Sequence, residues 1–335
     1  METQAKYWHA VDGSDKVQCE LCPQVCVIKP GGKGICINRG NIGGRLRPLI
    51  YGQVAAIHMD PIEKKPLYHF CPGSQILSVG FIGCNFHCPF CQNYSLVEGD
   101  APLDDVTIDE LVSAARKNRS VGIAFTYNEP LVNFEWVMEC AMAFRKAGMR
   151  TTAVTNGYLN PEPFREMVDY IDAFNIDLKY SSDENYRTYS GAKKPQVIRD
   201  NIKLAHEKSH VEVTHLIVTG INDDEAAFKN LVEQMAQISA YIPLHISRYH
   251  PMYKYHKPAT SLEFLERAYN IAREKLKFVY LGNVWSDEGS STFCPECNAL
   301  LVQRKGYNTA VKGLDGSKCS KCGKDAYFVY PCKIS

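Results

Sequence analysis

The 335-residue chain reads as an α/β protein built on a parallel sheet, with a small cysteine-rich unit at each end. Three observations carry this reading. From Gln75 onward, short β-branched or apolar runs alternate with amphipathic stretches of helical length, and such repetition implies right-handed crossovers between parallel strands. Gly and Pro concentrate before residue 74, while a Cys-, Gly- and Lys-rich tail without helical periodicity follows residue 285. Finally, the chain has fourteen cysteines, and eleven fall into three tight groups: Cys19, Cys22, Cys26 and Cys36; Cys84, Cys88 and Cys91; Cys294, Cys297, Cys319 and Cys322.

The expected strands run over 76–82, 123–127, 151–155, 174–178, 211–218, 244–247 and 278–281. Helices are expected over 108–118, 134–147, 161–170, 196–207, 225–239 and 262–274. Thr107 with Asp109, and Asn160 before Pro161, supply helix-start chemistry. The divisions follow: 1–74 as a four-cysteine metal-binding segment, 75–285 as the strand–helix domain, 286–335 as a second metal unit. Periodicity fits an open doubly wound sheet or a partial barrel equally well. In either, ligands sit beyond the carboxyl ends of the strands.

Composition narrows the function classes. Hydrophobic residues make up 45% and charged residues 22%, as in ordinary globular proteins. A net charge of +1 gives no global field toward nucleic acid or an anionic membrane. Residues 1–16 lack the apolar core of a signal peptide, and no apolar run approaches a membrane span, so a cytoplasmic protein is expected. In that compartment grouped cysteines point to metals, not disulfides. Cys71, Cys140 and Cys332 are left over, and Cys140 falls among Phe134, Val137, Met138 and Ala141 as a buried hydrophobe.

Cys84, Cys88 and Cys91 follow the first expected strand directly. Three thiolates on one short loop reach three corners of a cubane cluster and leave the fourth iron open for chemistry. A structural metal loop is the plain alternative. The spacing Cys84-x3-Cys88-x2-Cys91, with aromatic Phe90 before the last cysteine, resembles the hallmark of the radical S-adenosylmethionine (SAM) superfamily. The resemblance implies a partial (β/α)6 radical SAM barrel, a 4Fe-4S cluster and SAM chelated at its open iron. It also implies reductive cleavage of SAM to a 5′-deoxyadenosyl radical that takes hydrogen from a substrate, with reduced ferredoxin or flavodoxin as electron donor.

By the same resemblance Phe90 packs on the adenine. Tyr127-Asn128-Glu129-Pro130 stands where the family has a Gly-Gly-Glu-Pro-like stretch binding the methionyl amino group, so Tyr127 and Asn128 depart from two glycines. Thr155 and Asn156 end the third strand; Asp177 and Lys179 end the fourth, resembling a stretch that faces SAM's methionyl end in glycyl-radical activases. His245 resembles a histidine near the ribose. Each has a plain reading too: Glu129 as a helix-start carboxylate, Asp177 and Lys179 as a surface pair, His245 as a satisfied histidine.

A subgroup is also resembled. Residues 60–70, Pro72-Gly73-Ser74, Gly83-Cys84-Asn85, Cys91-Gln92-Asn93, the Tyr127–Pro130 stretch, residues 247–251 and Gly282-Asn283-Val284 look like the AmmeMemoRadiSam-system radical SAM enzymes, relatives of pyruvate formate-lyase activating enzyme. Cys71 departs from the aromatic expected there.

Cys294, Cys297, Cys319 and Cys322 read as two CxxC knuckles of a zinc ribbon, with rubredoxin-like iron as the rival. Lys305, Lys312, Lys318 and Lys321 are too dispersed to argue for nucleic acid. Cys19, Cys22, Cys26 and Cys36 imply a closed site for zinc or for a second, auxiliary Fe-S cluster. Arg248, Tyr249 and His250, beyond a strand end, are candidate substrate contacts. Glu63, Lys64 and Lys65 could line the pocket mouth, though a solvated loop is the simpler account. The substrate is open. Rival readings are a glycyl-radical-enzyme activase acting on a protein partner, or an Fe-S/zinc binding module for RNA or protein.

Overall fold

A computed structural model describes residues 3–332. One sheet holds eight strands: β1 (Ala56–Pro61), β2 (Gln75–Gly80), β3 (Gly122–Phe125), β4 (Arg150–Thr155), β5 (Ala173–Asp177), β6 (His210–Ile217), β7 (Leu244–Arg248) and β8 (Val279–Gly282). Their spatial order follows the chain, every pairing from β2 to β8 is parallel, and β8 does not bond back to β1. The result is a partial barrel. Helices α1 (Ile108–Lys117), α2 (Phe134–Lys146), α3 (Pro161–Val168), α4 (Gln196–His206), α5 (Glu225–Ile238) and α6 (Leu262–Arg273) make the crossovers.

Local chemistry sets these bounds. Thr107 caps α1 in a reciprocal capping box with Glu110, Pro161 takes the first turn of α3, and Asp224 and Ser261 cap α5 and α6. Strands such as β3 are buried on both faces, as a parallel sheet under helices requires. Cys140 is fully buried in α2.

The sheet begins earlier than residue 75. β1, from the stretch assigned to the metal segment, pairs antiparallel with β2 along its whole length. Its residues are mostly half-exposed and show no apolar alternation, so no strand signal marked them.

The barrel interior is polar. Below the strand ends, buried Glu212 accepts from the His69 backbone at 2.7 Å and stands 2.9 Å from His210 Nε2 and 2.7 Å from His245 Nε2. These contacts hold its carboxyl well below the usual range, against the opposing effect of burial. The carboxyl-terminal unit closes this end. Its Arg304, from the strand Leu300–Lys305, is fully buried and donates to the Tyr68 carbonyl at 2.6 Å and to Thr292 Oγ1 at 2.8 Å. The guanidinium also lies 4.2 Å over the Tyr68 ring. Cys71 and Cys332, unassigned by the sequence reading, form a disulfide across 261 residues. Among the described residues no helix is long and apolar enough to cross a membrane.

Candidate active site

At the carboxyl ends of the strands lies a cavity of about 540 Å³, lined by all three central cysteines. The cysteine loop is positioned by asparagines. Asn128 donates to the carbonyls of Ile82 at 2.9 Å and Gly83 at 2.7 Å, and accepts from Phe81 N at 3.1 Å. Asn85 donates to Tyr158 O and accepts from Asn156 Nδ2, both at 2.8 Å. Gly83 has φ +80°, and a Cβ there would stand 2.1 Å from the Cys36 carbonyl oxygen. Cys84 Sγ accepts from Phe86 N at 3.3 Å, and Cys88 Sγ lies 3.3 Å from Ser190 Oγ.

Most strand-end residues singled out by the sequence meet here: Phe90, Tyr127, Asn128, Glu129, Thr155, Asn156, Asp177 and Lys179 all line the cavity. Phe90 is buried with its ring edge-on to Tyr255. Lys179 Nζ pairs with Asp177 Oδ2 at 2.8 Å. Glu129 is both a site residue and a helix-start carboxylate. It accepts from Leu131 N at 3.1 Å, Thr155 Oγ1 at 2.7 Å and Asn156 N at 2.7 Å. Burial nevertheless pushes its carboxyl up to about 7.

Tyr127 explains the departure from glycine. Its φ of +76° is the left-handed conformation that glycine adopts freely, so the backbone is kept while the residue changes. Space for its ring exists because Gly80 has no side chain: a Cβ there would come within 2.6 Å of the ring. The Tyr127 hydroxyl donates to Asp60, which also accepts from Lys64 at 2.8 Å and Lys65 at 2.7 Å.

The simpler account of the 63–65 loop fails here. Lys65 is buried, sits 4.4 Å over the Tyr127 ring and lines the cavity, as does Lys64. Burial lowers Lys65 to about 8, against the pull of Asp60. Glu63 turns away, accepting from Gly73 N at 2.8 Å and facing Arg304 at 3.7 Å. The sequence reading also missed Thr214, Ser247 and Asn283 in the lining.

Four expected contacts are not brought to the cavity. His245 faces the barrel interior as Ser247 does, but two residues deeper, where Glu212 holds it and Tyr68 and Tyr280 cover it. Arg248 alternates outward and donates to Thr260 O at 2.8 Å. Tyr249 is buried, its hydroxyl donating to Tyr255 O at 2.7 Å, and His250 is exposed beyond the strand.

The cysteine groups differ in spacing. Cys294, Cys297, Cys319 and Cys322 bring all four sulfurs within 4.8 Å of one another, with Cys294–Cys322 at 3.6 Å and Cys297–Cys319 at 3.7 Å. A metal–sulfur distance of about 2.3 Å gives tetrahedral edges of about 3.8 Å, so this set fits one ion. Among the described residues neither other cysteine group is drawn together so closely. Cys84, Cys88 and Cys91 instead surround open cavity, which suits a group with each thiolate on a different iron.

Comparison with known proteins agrees with this geometry. Residues 79–235 match the radical SAM superfamily. The chain is 38% identical over 330 residues to uncharacterized protein MJ0808 of Methanocaldococcus jannaschii, covering 96% of this chain and 98% of that one. It is 23% identical over 201 residues to the pyruvate formate-lyase 1-activating enzyme of Escherichia coli K12, covering 58% and 81%. In fold it is similar to a radical SAM methyltransferase from Sphaerobacter thermophilus, with a TM-score of 0.51 at 14% identity, covering 84% and 76%. With the cysteine loop, the parallel barrel and a near full-length relative in agreement, the chain belongs to the radical SAM superfamily of enzymes.

Proposed function

We propose that the cavity binds a 4Fe-4S cluster through Cys84, Cys88 and Cys91, with SAM beside it, and that the protein abstracts hydrogen from a substrate entering from the open strand ends. The observation that carries this is the shared cavity: three cysteines, an aromatic wall, a buried carboxylate and a lysine converge at one end of a partial barrel. When bound, the cluster supplies the electron that splits SAM into methionine and a 5′-deoxyadenosyl radical, which takes hydrogen from the substrate.

The chain's residues divide the binding. Glu129 has acceptor capacity left on Oε2, which receives one backbone N–H, and it takes a hydrogen bond from SAM's amino group. Lys179, held by Asp177, pairs with SAM's carboxylate. Phe90 offers an apolar face to the adenine. Thr155 and Asn156 act through Glu129 and Asn85, and Asn128 fixes the loop. Cys294, Cys297, Cys319 and Cys322 hold structural zinc. Reduced ferredoxin or flavodoxin supplies electrons. The activase reading, with a protein partner at the barrel mouth, is favoured by relatives named as activating enzymes.

The test is anaerobic reconstitution with dithionite. The wild type converts SAM to 5′-deoxyadenosine and methionine, and Cys84→Ala, Cys88→Ala and Cys91→Ala each abolish it. Wild-type turnover in any of the three overturns the assignment. Formation of a glycyl radical on a co-purifying partner would decide for the activase.

A further inference from the structure

The amino-terminal cysteines are a built site that the catalytic reading does not use. Cys19, Cys22 and Cys36 are buried and Cys26 is half-buried, and none is in a disulfide. They come from separate pieces of a loop-rich unit: the strand end at Cys19, the turn carrying Cys22 and Cys26, and the loop before the strand Arg39–Ile42. The backbone N–H groups of Leu21, Gln24 and Asn38, each two residues on, face three of the four sulfurs and favour the thiolate. The same holds for Cys84 and Cys91 in the catalytic loop, and for Cys297, Cys319 and Cys322 in the ribbon, with Phe86, Asn93, Ala299, Lys321 and Lys324. A buried thiol that is only a hydrophobe has no need of such donors. Thiolates carrying charge for a metal do.

Charge is arranged for the same purpose. The buried Arg39 lies close enough to Cys19 to favour its thiolate, and its Nη1 meets both Glu135 oxygens at 3.0 Å.

We infer that Cys19, Cys22, Cys26 and Cys36 hold a second iron–sulfur cluster, closed on every side by protein and packed directly behind the catalytic loop. Spacing favours a cluster over a single zinc ion. Among the described residues the ribbon cysteines bring all four sulfurs within 4.8 Å of one another, and the amino-terminal four are not drawn to that spacing. Each thiolate on a different metal atom demands the wider set.

Packing supports the placement. The Cys36 carbonyl touches Gly83, one residue from Cys84. Asn38 donates to Ile82 O at 2.5 Å, and Gln24, between Cys22 and Cys26, donates to Asn85 O at 3.1 Å and Gly191 O at 2.9 Å. The residues that shape the second site therefore grip the catalytic loop on both sides of Cys84.

The inference is tested without the catalytic cluster. The full chain carrying Cys84→Ala, Cys88→Ala and Cys91→Ala is reconstituted anaerobically with iron and sulfide. It should retain iron and acid-labile sulfide in equal amounts, and give a reduced-state paramagnetic signal that SAM does not change. Adding Cys22→Ser and Cys36→Ser should remove both iron and sulfide while the ribbon's metal stays. Zinc in place of iron, iron without sulfide, no retained metal beyond the ribbon's, or iron that survives the two serine replacements would each overturn it. The first variant leaves the amino-terminal unit untouched, so its result decides even if the serine variant does not fold.

Discussion

Glu129→Gln tests whether the buried carboxylate is kept for ligand binding at the expense of stability. Burial raises the folded value to about 7 from an ordinary 4.5, while hydrogen bonds from Asn156, Thr155 and Leu131 pull the other way. A carboxyl with a raised folded value contributes stability that is fully present below 4.5 and lost as pH rises through 7. A shift of that size corresponds to about 3.4 kcal/mol in total, of which about 2.5 kcal/mol develops between pH 5 and pH 8.

Glutamine keeps the shape, has no charge to bury, and sets one N–H₂ against a backbone donor at a cost of about 1–3 kcal/mol. The variant should therefore be less stable than wild type at pH 5, and close the gap or overtake it at pH 8. Thermal unfolding of both proteins side by side at the two pH values reads this as a relative shift of several degrees. At the same time SAM affinity should fall by about 10- to 150-fold, from a lost charged hydrogen bond of about 1.5–3 kcal/mol. A stability difference that stays constant with pH, or moves against the variant as pH rises, would refute the reasoning. Glu129→Ala is the wrong test: it strips the acceptor from Leu131 N, Thr155 Oγ1 and Asn156 N together, and Asn156 in turn holds Asn85 in the cysteine loop.

Lys179→Ala should weaken SAM binding by a similar about 1.5–3 kcal/mol and leave the central iron content unchanged; unaltered affinity by equilibrium binding would remove Lys179 from the pocket. Arg304→Met leaves the Tyr68 carbonyl without its donor, takes one of two partners from Thr292 Oγ1 and leaves Glu63 buried opposite no charge, which should cost about 3–5 kcal/mol. Faster limited proteolysis within 286–332 with metal retained in the ribbon is expected, and an unchanged cleavage rate would show that Arg304 does not anchor it. Burial lowers His215 to about 4 and His69 to about 3 from 6.5, so the stability each contributes is present above 6.5 and lost as pH falls toward those values, at about 1.4 kcal/mol per pH unit each. His215→Gln should flatten the acid arm of a denaturation series; an identical slope argues that this histidine does not titrate on unfolding. Gly83→Ala would drive a Cβ into the Cys36 carbonyl and should lower iron incorporation at the central cysteines, which metal analysis reads directly.

Strand and helix order was legible because the β3-to-β8 strands are β-branched or apolar runs separated by amphipathic helices, and the cavity residues followed because strand ends are short stretches of sequence. What spacing leaves open is depth and distant partners. β1 lacked alternation, and Lys65 looked like a surface charge until Asp60, five positions earlier on that strand, was seen turning inward to meet it. Likewise nothing near Cys71 in the sequence indicates Cys332. His245 is the most instructive case, because the period of two that puts it on the same face as Ser247 is correct. The missing information lies in Glu212, on the neighbouring strand. That carboxylate is fully buried and, among the described residues, is satisfied by His245, His210 and the His69 backbone. A His245 released to reach a ligand would leave Glu212 Oε2 without its partner in the barrel, at a cost of about 1–3 kcal/mol. The histidine is therefore held by its neighbour, and the ligand-facing position on β7 passes to the small Ser247, whose own reach is limited and whose side chain leaves the cavity open.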